Sequence, residues 1–528
     1  MILRNYYSLC TYGQTDQAVC VVDPDGNDRS ATYGTPNVKT AMQKMQTGYT
    51  SGYGVILGKG DVVEDYYDYK LSGGMITGYT YSMTISSGRD DKGNYVKGKY
   101  TITNNNSSAF TVKEVGLLYY WAGSDSQQCL IDRTVLDTPI TINSGGVGQL
   151  EYTIRVNNPA KEFPLDYNQP GVHGVSWYFG SSSSNLTRLG DSAKWGRPSP
   201  ATDLDAVGTS PFDEVMPWAG MKRYNIIDGI ISFSEEDESF SETSYDTMVY
   251  IPPFYYSVQE DRYLQKIQWA ISAEPREGFT LHPGSGRYVG RFHTANVSSV
   301  YSSKSGYTPV HSITRATARS NSHAKGSNWW QMDIATWSAI QLLYLVEFAS
   351  WDSQGYLGYG NNTGSRLVTG RTVGAAYHTL KRTGNSNQYR WIENPCTNML
   401  TWVDGWMNNG YYPCLGLDNA AFADSTSGLT TTGLYVNINT NPAYIYRFKI
   451  CDAFPWAFIP TRSGGAYNTY VRDYVYMGSG YFPAVGGYYD SNTDTSNGYY
   501  RYGLFYVYNG YGSTSTSGSV GTRLIYIP

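Results

Sequence analysis

Charge is scarce in this 528-residue chain: Asp, Glu, Lys and Arg make up 16% of it, well below the roughly one quarter usual for a globular protein. The balance is slightly acidic at -5, so the basic footprint of a nucleic-acid binder is missing and nucleic acid is not an expected partner. No run approaches the roughly 18 consecutive apolar residues that would span a bilayer, and membrane insertion is not expected. The opening MILRNYYSLC has an arginine but no apolar segment of about 7–15 residues behind it, so neither a secretory signal nor lipoprotein processing at Cys10 is expected. Cysteine is too sparse, at six residues, for a disulfide scaffold. Cys396 and Cys414 could pair or lie as buried thiols, the second being favoured. The six histidines never fall at HxxxH or HExxH spacing, which leaves no zinc signature.

What is abundant is tyrosine and glycine, 51 and 57 residues. With 15% aromatics and 41% apolar residues the chain is folded rather than disordered, and long enough for two or three cores.

Between Lys97 and Asn158 the pattern has period two: KYTIT, AFTVKEVGLLYYW, TPITI and QLEYTIRV alternate apolar and polar residues around turns at Asn104–Asn106 and Ser144–Gly146. That pattern predicts an antiparallel β-sandwich over residues 1–158, with a short helix over TAMQKMQTGYT, Thr40 to Thr50. Pro, Gly and Ser then accumulate, predicting a linker over 159–180 and a second domain over 181–528. There the texture is short aromatic strands in polar loops, with one helix signal in QMDIATWSAIQLLYLVEFASW. Ile334, Trp337, Ile340, Tyr344 and Phe348 recur at helical spacing behind Asp333 as N-cap. The expected class is α+β, mostly β.

Residues Gly465 to Gly512 hold 13 Tyr in 48 positions, interleaved with Gly, Ser, Asn, Asp and Thr and free of Lys and Glu. Tyrosine offers a large amphipathic surface with few rotors to freeze, while Ser, Gly and Asn add adaptable hydrogen bonds, so this alphabet suits a binding surface. Val, Ile and Leu would serve a core as well. The candidate ligand-binding residues are Tyr474, Tyr476, Tyr488, Tyr489, Asp490, Ser491, Asn492, Tyr499, Tyr500, Tyr502, Tyr506, Tyr508, Asn509 and Tyr511, expected on a solvent-facing patch.

Collinear motifs carry a resemblance. SWYFGSSSSNLTRLGDSAKW, SPFDEVMPWAGMKRYN, MVYIPPFYY, GFTLHP, LLYLVEFASWDSQ, WIENPCTNMLTWVDG, FPAVGG, GLFYVY and the closing GTRLIYIP resemble, in that order, the C-type-lectin-like domain of phage tail receptor-binding proteins. This group includes the retroelement-diversified variable proteins typified by the phage major tropism determinant. The likeness covers Ser176 to the C-terminus. AFTVKEVGLLYYW and CLIDRTVLDTPITINSGGVGQLEYTIRVNNP resemble β-sandwiches of phage virion and tail proteins. The resemblance implies a virion protein: an N-terminal part docked to other tail proteins, a C-terminal part facing a bacterial surface receptor, a homotrimeric assembly, and a variable region over 465–512.

The same fold serves formylglycine-generating enzymes, which need cysteines near its C-terminal end. No cysteine follows Cys451, so that chemistry is not expected, and neither catalytic residues nor a cofactor is assigned. A tail-borne polysaccharide depolymerase is the rival, and a purely structural tail protein a third reading. Depolymerase chemistry needs two carboxylates in contrasting environments, whereas the run Ser234 to Glu238 reads as a solvated loop. Glu393 and Asp404, set among tryptophans, are expected in structural hydrogen bonds, with calcium a possible ligand of their hard oxygens. His282 in GFTLHP reads as a structural histidine.

Overall fold

A computed structural model describes the chain apart from residues 1–18, 23–27, 32–44, 46–53, 62–70, 72–73, 91–92, 122–126, 157–164, 166, 180–182, 200–207, 262–265, 362, 375–385, 437, 439–442, 466–469, 479–480 and 490–500. It is α+β and mostly β, and it divides into two compact units, Met1–Glu162 and Phe163–Pro528.

In the first unit the alternating segments form long antiparallel strands. Gly54–Gly58, Phe110–Trp121 and Gln127–Ile142 make one three-stranded sheet, and Tyr79–Asp90, Gly93–Asn104 and Val147–Val156 make another. Period-two side chains from both sheets, including Val55, Leu117 and Ile131 from one and Tyr100, Ile102 and Leu150 from the other, meet in one core. The expected turn at Ser144–Gly146 is present: Gly145 has φ 68°, open to glycine without strain, and Gly146 N–H donates to Asn143 O. Buried Asn104 donates to the carbonyls of Ser108 and Ile142. The helix expected over Thr40–Thr50 lies outside the described residues except for Met45, which bridges to Val55.

The second unit holds a five-, a six- and a seven-stranded sheet. The predicted linker over 159–180 is corrected here. Val172–Tyr178 is an almost wholly buried strand, paired with Thr187–Gly190 on one side and Lys266–Ser272 on the other. The Pro/Gly-rich approach masked it, because VHGVSWY is buried on both faces and shows no polar alternation.

Helix Ile334–Phe348 starts where predicted, with Thr336 N–H donating to Asp333 Oδ1 at 2.7 Å. It is not amphipathic, however: all 15 residues are buried. Its one charged side chain is satisfied internally, whereas Tyr344 Oη and Trp337 Nε1 are buried without a hydrogen-bond partner among the described residues. Glu347 accepts from Arg390 (2.6 and 3.1 Å), Tyr389 Oη (2.9 Å) and Ser210 Oγ (2.8 Å). A second helix, Arg315–His323, was not foreseen, although Thr314 caps it by accepting from Thr317 N–H. Cys396, Cys414 and Cys451 are buried free thiols. No helix among the described residues is long and apolar enough to cross a membrane.

Candidate functional site

The seven-stranded sheet builds the site. Its order is Ile459–Gly465, Ala443–Lys449, Tyr474–Met477, Val507–Tyr511, Phe482–Val485, Leu400–Trp402, Val520–Gly521. Strands Tyr474–Met477 and Val507–Tyr511 run parallel, with Val475 opposite Val507, Tyr476 opposite Tyr508 and Met477 opposite Asn509. Alternation along a strand sends successive side chains to opposite faces. Val475, Met477 and Val507 accordingly join the core around the central helix, while Tyr474, Tyr476 and Tyr508 stand on the other face. Strand pleat thus divides the valines of YVYM and VYNGY from Tyr474, Tyr476 and Tyr508, whereas Tyr511, four residues after Val507, packs on Tyr508 beside the register shift between Phe482 and Ala484.

On that outer face the rings of Tyr476 and Tyr508 stack, with centroids 5.0 Å apart and planes 21° from parallel. Tyr508 packs on Tyr511 (4.8 Å), Tyr502 on Tyr506 (5.0 Å) and Tyr488 on Tyr502 (5.0 Å). Leu400, Trp402, Phe482, Ala484 and Val520 lie beneath as an apolar floor. Gly487, at φ 79°, allows the close approach of Tyr502, with which a Cβ at that position would collide.

The result is a cavity of about 480 Å³ lined by Tyr474, Tyr476, Tyr488, Tyr502, Tyr506, Tyr508 and Tyr511, together with Leu400, Arg501, Ser517 and Ser519. Seven candidate residues from four segments of chain therefore converge on one concavity. Tyr489 adjoins it: its ring meets Tyr488 at 5.9 Å, and its hydroxyl lies 3.4 Å from Gly518 O and from Arg366 Nη1.

The expected solvent-facing patch is corrected in three respects. Tyr502 and Tyr506 are each only 6% exposed and belong to the cluster beneath the cavity. Asn509 lies on the opposite face of its strand, fully buried, and its amide atoms have no hydrogen-bond partner among the described residues. The remaining described tyrosines are half-buried walls rather than a free surface. A chain of aromatic contacts closes the sheet's outer face into a cup, which composition alone does not reveal. Asp490, Ser491, Asn492, Tyr499 and Tyr500 lie outside the described residues.

Burial pushes the Tyr506 hydroxyl well above its ordinary value, with neighbouring tyrosines adding to the effect. The same cause raises Tyr511 to about 12 against opposing hydrogen bonds from Ser517 and Ser519, and raises Tyr508. These three phenols stay protonated at neutral pH and can donate hydrogen bonds there. Ser517 and Ser519 hydroxyls are 2.8 Å apart. The Arg501 guanidinium carbon sits 4.9 Å from the Tyr474 ring centroid. Its Nε is buried without a hydrogen-bond partner among the described residues. Sequence reasoning passed over Arg501, Ser517, Ser519 and Leu400; the signal for the first was a lone cation inside YRYG.

The other candidates resolve into structural roles. Glu393 accepts from Gly370 N–H (2.9 Å), Thr372 N–H (2.7 Å) and Thr372 Oγ1 (2.8 Å). Asp404 is held by Arg319 at 2.6 and 2.9 Å. These donors occupy the carboxylate oxygens considered for calcium. Among the described residues, no group of three or more His, Cys, Asp or Glu is placed to hold a metal ion. His282 is buried, stacks on Phe254 and accepts from Gly284 N–H, and burial lowers its pKa to about 3. Within the acidic run, Glu235 pairs with Arg223 (2.6 Å) and Glu236 with Lys222 (2.5 Å).

Comparison with protein-family models and with curated proteins yields no match.

Proposed function

We propose that this chain is a non-enzymatic, host-binding protein of a phage tail tip, whose C-terminal unit grips a bacterial surface receptor through the tyrosine-lined cup. The observation that carries the reading is the convergence of seven tyrosines on one cavity of about 480 Å³, within the roughly 300–1,000 Å³ range of small-ligand sites. Tyrosine walls combine a wide apolar contact with protonated hydroxyls, and the stiff sheet beneath pre-organises them, so little rotamer entropy is lost on binding. The described lining has no carboxylate, whereas glycan hydrolysis calls for a facing pair.

In this reading the N-terminal unit attaches to other tail proteins, the chain acts in the virion as a homotrimer, and tethered copies turn a weak site into firm adhesion. The cup side chains would be the positions that adenine-directed diversification alters, on a scaffold that stays constant. The test is retention of intact bacteria, across a strain panel, by the immobilised full chain. Wild type retains at least one strain, and a Tyr476→Ala/Tyr508→Ala double variant loses it. Equal retention by both overturns the assignment of the cup.

A further inference from the structure

The cup has an electrostatic sign that its aromatic content conceals. Seven tyrosines, two serines and a leucine are uncharged, so Arg501 is the one charged group in the described lining. It lies against the Tyr474 ring, 4.9 Å from its centroid. A guanidinium stacked in this way keeps its in-plane N–H donors for a second partner. Nε is already buried without an acceptor among the described residues. Because Nε itself is closed off, an oxyanion in the cup would take its charge-assisted hydrogen bonds from the terminal nitrogens of the guanidinium.

Across the same cavity the stacked Tyr476–Tyr508 pair presents electron-rich ring faces, which attract the weakly positive C–H edge of a ring lying on them. The Ser517–Ser519 hydroxyl pair, 2.8 Å apart, and the tyrosine hydroxyls add donors and acceptors around the rim. A ligand that uses all three features has a ring with C–H faces, several hydroxyls and one negative group.

We propose that the cup takes an anionic saccharide, with the sugar ring against Tyr476 and Tyr508 and its carboxylate or phosphate on Arg501. This deepens the receptor-binding reading above and rests on it. The alternative partner, a folded protein, is met by an extended surface of about 800 Å² a side, whereas a hollow of about 480 Å³ has the size of a small-ligand site.

The experiment is calorimetric titration of the full chain with three probes: a galacturonic-acid oligosaccharide, N-acetylglucosamine phosphate and a neutral galacto-oligosaccharide. It is run beside the bacterial retention assay. An anionic probe binds about tenfold or more tightly than the neutral one, since a charge-assisted hydrogen bond contributes on that scale. The stronger of the two anionic probes identifies carboxylate or phosphate as the source. Arg501→Gln abolishes the preference at an unchanged melting temperature, and Arg501→Lys, which keeps the charge and so covers a folding failure of the first variant, retains part of it. Equal affinity for neutral and anionic probes, or an Arg501→Gln variant that keeps the preference, overturns the proposal. If the chain retains bacteria but binds neither anionic probe, the ligand class is wrong and the receptor reading survives. If it retains no bacteria, the receptor reading itself falls.

Discussion

Tyr476 and Tyr508 face one another from neighbouring parallel strands, their rings stacked 5.0 Å apart, while the residues beside them, Val475 and Val507, point into the core on the sheet's other face. Contact surface and stability thus reside in different side chains of the same two strands.

Tyr476→Ala and Tyr508→Ala should therefore remove ligand binding at small structural cost. The stacked pair contributes about 0.5–1.5 kcal/mol beyond its area burial, so each single variant should shift the urea midpoint only modestly. The phenylalanine variants keep the stack and lose the hydroxyls, and should bind weakly while unfolding like wild type.

Tyr502→Ala and Tyr506→Ala should behave in the opposite way. Both rings are buried over the Leu400, Trp402 and Phe482 floor, and truncating a buried aromatic costs about 3–5 kcal/mol. Chemical denaturation should show that loss. A variant at either position with wild-type stability would mean that its ring is not part of the floor.

Glu347 tests the central helix. It is buried beside Arg390 and accepts four hydrogen bonds, two from Arg390 and one each from Tyr389 and Ser210. Glu347→Gln leaves the guanidinium short of its buried counter-charge, which costs about 3–5 kcal/mol. Denaturant unfolding followed by tryptophan fluorescence should register it, and a Glu347→Leu/Arg390→Met double variant should be destabilised by less than the sum of its singles.

His173 gives a pH signature. It is packed among Trp195, Phe212 and Trp218. Burial lowers its pKa from 6.5 to about 4, with Arg188 adding to the shift and Asp191 opposing it. Between those values the unfolded chain binds a proton that the folded chain refuses, so this residue's contribution to stability is intact above pH 6.5 and is lost as pH falls toward 4. The loss is about 1.4 kcal/mol per pH unit across that window. His173→Phe should flatten the stability profile there by about 3 kcal/mol in total, measured as urea unfolding at several pH values. An unchanged profile would show that the imidazole titrates normally.

Local chemistry made a good part of the molecule legible. The strands of the first unit, the Asn143–Gly146 turn and the Asp333 cap depend on pleat alternation, a glycine at positive φ and a side-chain acceptor, all properties of neighbours in the chain. The Tyr-rich end was also visible as composition. The strand Val172–Tyr178 and the all-buried helix were harder to read, because an element covered on every side has no polar face to reveal its period.

The amino-acid order by itself determined the class, mostly β with one strong helix, and gathered tyrosines near the C-terminal end. Only the tertiary structure decided which of them would wall a cavity, which would become its floor, and that Arg501 would share the space. Those choices depend on pairings between segments distant along the chain and on how much surface each ring keeps after the sheet has closed over it.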